Sequence, residues 1–229
     1  MAIILEDIDM VSFPFKKQFT SFLREKFSDN GNVVDEFERS NYAYIKRAVQ
    51  ELEDQQFLKS FIQDKVGDLN NQRLKEFEME LLKEFGNSQF FLEGVYDETR
   101  EMNNSISLDV VGVTARKCPR DGFEIYEDTA GKTDRWNKDN GVGLREILYR
   151  STRIKYTVLE ELDDEVVCMI EDNPLGLEGF LERGIPGILV RSHNVDESKV
   201  REMKKRFGDQ FIVLDSHDAL QRTVESLLC

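Results

Sequence analysis

From residue 105 to 229 the chain alternates short apolar runs with helical stretches, and no other feature constrains its fold as much. The runs fall at 108–113, 146–149, 166–170, 187–190 and 211–214. Helical periods lie between and after them, at about 134–140, 155–162, 175–183, 199–207 and 218–228. Alternation of this kind builds a parallel sheet with helices on both faces. A further apolar run, Ala2 to Leu5, opens the chain and suits a strand buried on both sides. It has no neighbour of its own, so it must join the same sheet. The expected fold is α/β, a Rossmann-like parallel-sheet core.

Residues 12–104 read differently: they are polar and helical in period. Phe15, Phe19, Phe22, Leu23 and Phe27 form one stripe, and Val34, Phe37, Tyr44, Ile45 and Ala48 a second, interrupted at Asn41. Leu58, Phe61, Ile62, Val66 and Leu69 form a third, and Leu74, Phe77, Leu81, Leu82 and Phe85 a fourth. Four amphipathic helices with short loops make a bundle. The expected organisation is a core of residues 1–11 and 105–229, with a four-helix cap, 12–104, inserted after the first strand. Residues 117–131 carry little apolar periodicity and read as a loop beside the strand ends.

Composition narrows the function. Hydrophobic residues make up 40% of the 229, with 16 Phe, enough for a core. Lys plus Arg total 31 against 45 Asp plus Glu, a net charge of −14. That balance argues against a protein that coats polymeric nucleic acid, because phosphate neutralisation needs clustered cations. Cys118, Cys168 and Cys229 are odd in number and form no C-x-x-C, so neither a disulfide framework nor a zinc site is expected. The N-terminus lacks a basic region before its short apolar run, and no stretch reaches the roughly 18 apolar residues of a membrane span. The expectation is a cytoplasmic protein with reduced thiols and no membrane partner.

In open α/β sheets ligands bind outside the carboxyl ends of the strands. The first strand ends in Asp7-Ile8-Asp9, the second in Thr114-Ala115-Arg116, and the fourth in Glu171-Asp172-Asn173-Pro174. The third runs into Ser151-Thr152-Arg153-Ile154-Lys155. These parts suit metal-assisted phosphoryl transfer. Asp7 can attack phosphorus, and Asp9 can serve the leaving oxygen as general acid and then activate water. Asp7 and Asp172 can hold Mg²⁺, a hard cation that takes oxygen ligands, with Asp9 and Glu171 as further metal-site acids. Thr114 can donate to a phosphoryl oxygen, and Lys155, in competition with Arg153, can offset the negative charge. The plain alternatives are a solvated turn for Asp7 and Asp9, a strand-end hydroxyl for Thr114, an exposed lysine for Lys155 and a helix cap for Glu171 and Asp172.

The ordered set D-x-D, Thr, Lys, acidic pair resembles the haloacid dehalogenase-like phosphohydrolase superfamily. Leu92-Glu93-Gly94-Val95, Val113-Thr114-Ala115-Arg116, Ile170-Glu171-Asp172-Asn173-Pro174 and Glu182-Arg183-Gly184-Ile185 resemble its deoxyribonucleotidase-like branch. The resemblance covers nearly the whole chain in order, although the cap matches in shape rather than in residues. It implies a Mg²⁺-dependent phosphatase using an aspartyl-phosphate on Asp7, a 5′-nucleotidase on (deoxy)nucleoside monophosphates. Phe13, Phe15 and Asn41 would then be cap-side contacts for the base, and Arg116 would grip phosphate or substrate unless it pairs with a local acid. The alternatives are a catalytically weak nucleotide- or partner-binding protein on the same fold, or a 3′-phosphatase on nucleic-acid ends. Two positions depart from the superfamily. Met10 stands where Gly usually serves a tight turn, implying an altered turn or a filled pocket. Glu6 replaces an apolar residue before the nucleophile, where a further carboxylate would raise local pKa values and perturb metal binding. Ala130-Gly131-Lys132-Thr133 resembles the end of a P-loop but lacks the required glycine at Tyr126, and His193 and His217 read as ordinary polar residues.

Overall fold

A computed structural model describes residues 1–40, 42, 44–51, 54–116, 129–192 and 195–228. Strand β1 (Ala2–Asp7) has Ile3, Ile4 and Leu5 fully buried, because it takes a central place in a six-stranded sheet. The other strands are β2 (Asp109–Thr114), β3 (Leu144–Tyr149), β4 (Glu165–Glu171), β5 (Gly187–Val190) and β6 (Phe211–Leu214). Their order is β3-β2-β1-β4-β5-β6 and every pairing is parallel. The two sides of the pleat separate cleanly. Ile3 and Leu5 pack with Val158, Met169, Leu177 and Phe180 on one face. Ile4 and Ile8 pack with Met102, Cys168 and Val224 on the other.

Between β1 and β2 lie α1 (Phe15–Lys26), α2 (Gly31–Arg39), α3 (Ile45–Glu51), α4 (Gln56–Val66), α5 (Asn71–Gly86) and α6 (Asp97–Ser105). The second half of the chain adds α7 (Thr129–Asp139), α8 (Pro174–Leu181), α9 (Glu197–Phe207) and α10 (Leu220–Leu227). Phe19 centres the helical segment, with its ring against Phe15, Phe22, Phe37 and Phe85. This aromatic core does not stop at the sheet. Met10, Phe13, Phe91 and Trp136 join it to Ile4 and Ile8 in one apolar cluster.

Among the described residues the helical segment thus holds six helices where the stripes predicted four. The stripe running from Val34 to Ala48 is cut in two, because Ser40 leaves the helix in an extended conformation (φ −66°, ψ 144°). Its hydroxyl donates back to the Phe37 carbonyl at 2.6 Å, and Lys16 Nζ donates to the Ser40 carbonyl. Helix α6 escaped the periodicity search because its buried face is Thr99, Met102 and Asn103, mostly polar. It packs against α10 and carries two acids in its first turn, where the helix dipole favours them. The expected helix at 155–162 is instead a 3-10 stretch, Thr152–Glu160, broken at Ile154 (φ −121°, ψ 18°).

Candidate active site

Parallel register sets the site. Asp7 pairs with Val113 and Glu6 with Ile170, so the last residues of β1, β2 and β4 come level along one sheet edge. Asp7 is buried there, its Oδ1 accepting from the Ile8 amide at 2.9 Å. The break at Ile154 turns Lys155 inward while Arg153 stays exposed. Lys155 Nζ stands 2.7 Å from Asp7 Oδ1 and 2.6 Å from Glu171 Oε2. Burial works against the lysine's charge, but Asp7 and Glu171 outweigh it and hold the ammonium protonated. Burial also pushes the Asp7 carboxyl well above its usual range, the Glu171 charge adds to that, and Lys155 opposes it. Glu171 is raised by burial and likewise steadied by Lys155.

Asp7, Glu171 and Asp172 present ligand oxygens within 4.8 Å of one another. Three carboxylates converging on one point fit a hard divalent cation such as Mg²⁺, which prefers oxygen donors. Asp172 is pushed up to about 7, first by lost hydration and then by the Asp7 charge, with Ser192 opposing. Its Oδ2 accepts from Ser192 Oγ at 2.7 Å. Helix α8 makes room for the group. A Cβ on Gly176 would lie 2.3 Å from Glu171 Oε2, and one on Gly179 would lie 2.1 Å from the Tyr156 ring. Arg183 stacks on that ring at 3.9 Å and donates to the Gly179 carbonyl at 2.8 Å, so the segment carrying Lys155 sits in a glycine notch. Asn173 caps α8 by accepting from the Leu175 amide, with Pro174 at the first helical position.

Thr114 ends β2 fully buried, its Oγ1 accepting from the Arg116 amide at 3.2 Å. The Asp9 carboxylate stands apart from the three-acid group. Its Oδ1 accepts from Arg116 Nε at 2.9 Å and Nη2 at 2.7 Å. Arg116 therefore pairs with a local acid, and its side chain is only 2% exposed. Phe13 and Phe15, expected from sequence to touch a base, both turn inward. Phe13 packs on Phe85, Phe91 and Trp136, and Phe15 on Phe19, Tyr44 and Phe85. Asn41, Cys118, Tyr126, His193 and Cys229 lie outside the described residues.

Both departures from the superfamily acquire a structural meaning. Met10 is left-handed at φ 68°, the only such non-glycine among the described residues, and its side chain is buried. The turn keeps the left-handed backbone that glycine usually supplies, with the Met10 side chain packed into the apolar cluster. Glu6 points to the opposite sheet face from Asp7, fully buried beside Asn103 and Cys168. Burial pushes its pKa well above the usual range, and among the described residues no hydrogen bond of ordinary geometry reaches either oxygen. The remaining sequence decoys are structural. Lys132 lies within α7 and donates to the Gly86 carbonyl at 2.9 Å at the end of α5. His217 stacks on Tyr96 with ring centroids 4.1 Å apart.

Sequence reasoning missed Gly176, Gly179, Ser192 and the aromatic surroundings of Arg116. Ser192 stands just past the end of β5 and could have been found by applying the strand-end rule there. The glycines carry no such signal, since their reason is the side chain of another element.

A parallel sheet of this order, with helices inserted after β1 and acids at the ends of β1 and β4, is the haloacid dehalogenase-like fold. Solved structures share it over nearly the whole chain. A candidate beta-phosphoglucomutase from Thermotoga maritima is 13% identical, with a TM-score of 0.58 and 99% of each chain covered. A candidate phosphatase from Clostridium difficile is 16% identical, with a TM-score of 0.56 and 97% of each covered. A haloacid dehalogenase-like protein of unknown function from Agrobacterium tumefaciens is 10% identical, with a TM-score of 0.54 and 99% of each covered. At these identities the likeness is one of fold. No family model matches the sequence, and no curated protein matches it. Among the described residues, no helix is long and apolar enough to cross a membrane.

Proposed function

We propose that this chain is a phosphomonoester hydrolase that works through an aspartyl-phosphate on Asp7. One observation carries the reading: a buried ammonium, Lys155, bridges Asp7 and Glu171 at a strand-end edge that also gathers Asp172. A purely structural ion pair has no need of a third acid and a strand-end hydroxyl at the same place. Asp7 attacks phosphorus while Asp9 gives a proton to the departing oxygen. Asp9 then takes a proton from water as that water attacks the phosphoryl group, which releases phosphate and restores Asp7. Thr114 donates to a phosphoryl oxygen, and Lys155 keeps the nucleophile oriented and its charge offset. Asp7 and Asp172 would hold Mg²⁺, with Glu171 supporting them through Lys155. When bound, the cation neutralises phosphoryl charge that this acidic chain does not neutralise itself.

The accompanying partition makes residues 1–11 and 105–229 the catalytic core and 12–104 a cap that shelters the site from water. The substrate class is a small phosphorylated molecule. A nucleoside monophosphate within that class rests on the strings at 113–116 and 170–174. A cytoplasmic setting rests on the sparse cysteines, of which Cys168 is buried and free.

Phosphate release should be measured with Mg²⁺ over 5′- and 3′-nucleoside monophosphates, deoxy and ribo, alongside sugar phosphates and an aryl phosphate. Hydrolysis should vanish in Asp7→Asn and with EDTA. Folded protein that binds Mg²⁺ yet releases phosphate from no member would overturn the reading and leave a binding protein on this fold.

A further inference from the structure

The geometry points to Arg116 as a positioning residue for Asp9 rather than a contact for substrate, an inference that rests on the acid–base part assigned to Asp9 above. With 2% of its side chain exposed, Arg116 has almost no surface for a substrate to reach. Its guanidinium is enclosed by aromatic rings, with Phe13, Phe91 and Trp136 centroids at 4.6, 4.7 and 5.4 Å. Rings on several sides fix the plane of the guanidinium and exclude water, and cation–π attraction offsets part of its lost hydration. The remaining requirement of a buried cation is an anion, and the anion supplied is Asp9.

The fork is used in an unusual way. A bidentate pair normally places one donor on each carboxylate oxygen. Here Nε and Nη2 both reach Oδ1, at 2.9 and 2.7 Å, and Nη1 goes to Thr133 Oγ1 at 3.5 Å. One oxygen of Asp9 is anchored by two donors. Among the described residues the other, Oδ2, accepts no hydrogen bond, and the Asp9 side chain is 31% exposed. Oδ2 is the oxygen available to pass the proton to the leaving group and to take one from water. A transfer of this kind needs the carboxyl held within about 0.5 Å; backbone bonds from Met10 to Phe13 and from Ser12 and Phe13 to Ile8 fix the turn, and Arg116 braces the carboxylate it carries. The brace itself is tied down at both chain crossings between sheet and helical segment. Phe13 follows β1, Phe91 precedes the return, and Trp136 Nε1 donates to the Gly94 carbonyl at 2.8 Å.

The test compares substrates by leaving group, because a general acid matters most where the departing oxygen is basic. In Arg116→Met, kcat/KM for an alkyl phosphate, which covers the steps up to departure of the leaving group, should fall about 10²-fold, the lower end of general-acid contributions. For p-nitrophenyl phosphate, whose leaving group needs no proton, kcat/KM should fall less than about threefold, while kcat falls for both substrates because water attack on the aspartyl-phosphate uses the same Asp9. In an Asp9→Asn background, adding Arg116→Met should cost nothing further on the alkyl substrate, since both changes remove one function. Arg116→Lys keeps the charge and loses the fork, so it should fall between the wild type and Arg116→Met. It also carries the test if the Met variant does not fold. A raised KM with kcat held would make Arg116 a substrate contact, and an equal loss of kcat/KM on both leaving groups would make it structural; either overturns the inference. Crystal structures of the two variants decide without turnover. The Asp9 carboxylate should rotate away from its wild-type position, and one that stays in place overturns the assignment even if no phosphoester is hydrolysed.

Discussion

Met10 concentrates the cost of this site in a single residue. Its left-handed backbone strains any side chain bearing a Cβ by about 1 kcal/mol, while its burial repays part of that through contacts. The two terms can be separated by substitution. Met10→Gly and Met10→Ala open nearly the same cavity, so both should destabilise, but Gly should be the more stable by about 1 kcal/mol. Denaturant melts of the two variants check this, and an Ala variant as stable as Gly would mean that the turn is unstrained. At this scale much of the site was legible. Asp7, Lys155, Glu171 and Asp172, which the structure brings together, all stand at or just beyond apolar runs that end in polar residues, a pattern visible in the sequence. The choice of Lys155 over Arg153 was not legible, since it depends on a break at Ile154 that no local pattern announces. Nor was the direction of Phe13, because a phenylalanine stripe looks the same whether it faces a ligand or a core.

Helix α8 and the 3-10 stretch before β4 act as one element, joined where Gly176 and Gly179 remove the side chains that would hold them apart. Gly176→Ala would drive a methyl into the Glu171 carboxylate. The expected result is a folded protein whose activity is reduced at least about tenfold, because displaced Glu171 no longer steadies Lys155. Gly→Ala within a helix otherwise stabilises by up to about 1 kcal/mol, so a variant with higher Tm and full activity would refute the notch. Among the elements, β5 and β6 fall at the residues expected from their apolar runs, β2 and β4 differ by one residue at each end, and β3 starts two residues earlier. The helical insertion was harder. Burial there is shared among short helices, and a polar helix such as α6 is recruited by packing rather than by its own periodicity.

Across the whole molecule, the clearest liability is Glu6, a carboxyl in the apolar cluster between sheet and helices. Its pKa is raised in the folded state, so the fold keeps a proton that the unfolded chain releases. Stability from this group is therefore full below the unfolded value near 4.3 and is lost as pH rises toward the folded value. Glu6→Gln should raise stability at neutral pH by about 1–3 kcal/mol and leave it unchanged near pH 4. Thermal melts of both proteins from pH 4 to 8 test this, and parallel curves would show that Glu6 does not titrate differently on folding. The placement of β1 sets a problem of another kind, one of time. Ile3 finds its neighbours only at Asp109 and Val166. A ribosome adding about 5–20 residues per second needs about 8–30 seconds to make the second of them. For that interval the strand destined for the centre of the sheet lacks at least one of its two partners, in a chain whose helices can already fold. Nascent chains stalled before β4 should be cut by protease within β1 and spared in α1–α5, so the strand at the centre of the sheet waits longest for its shelter.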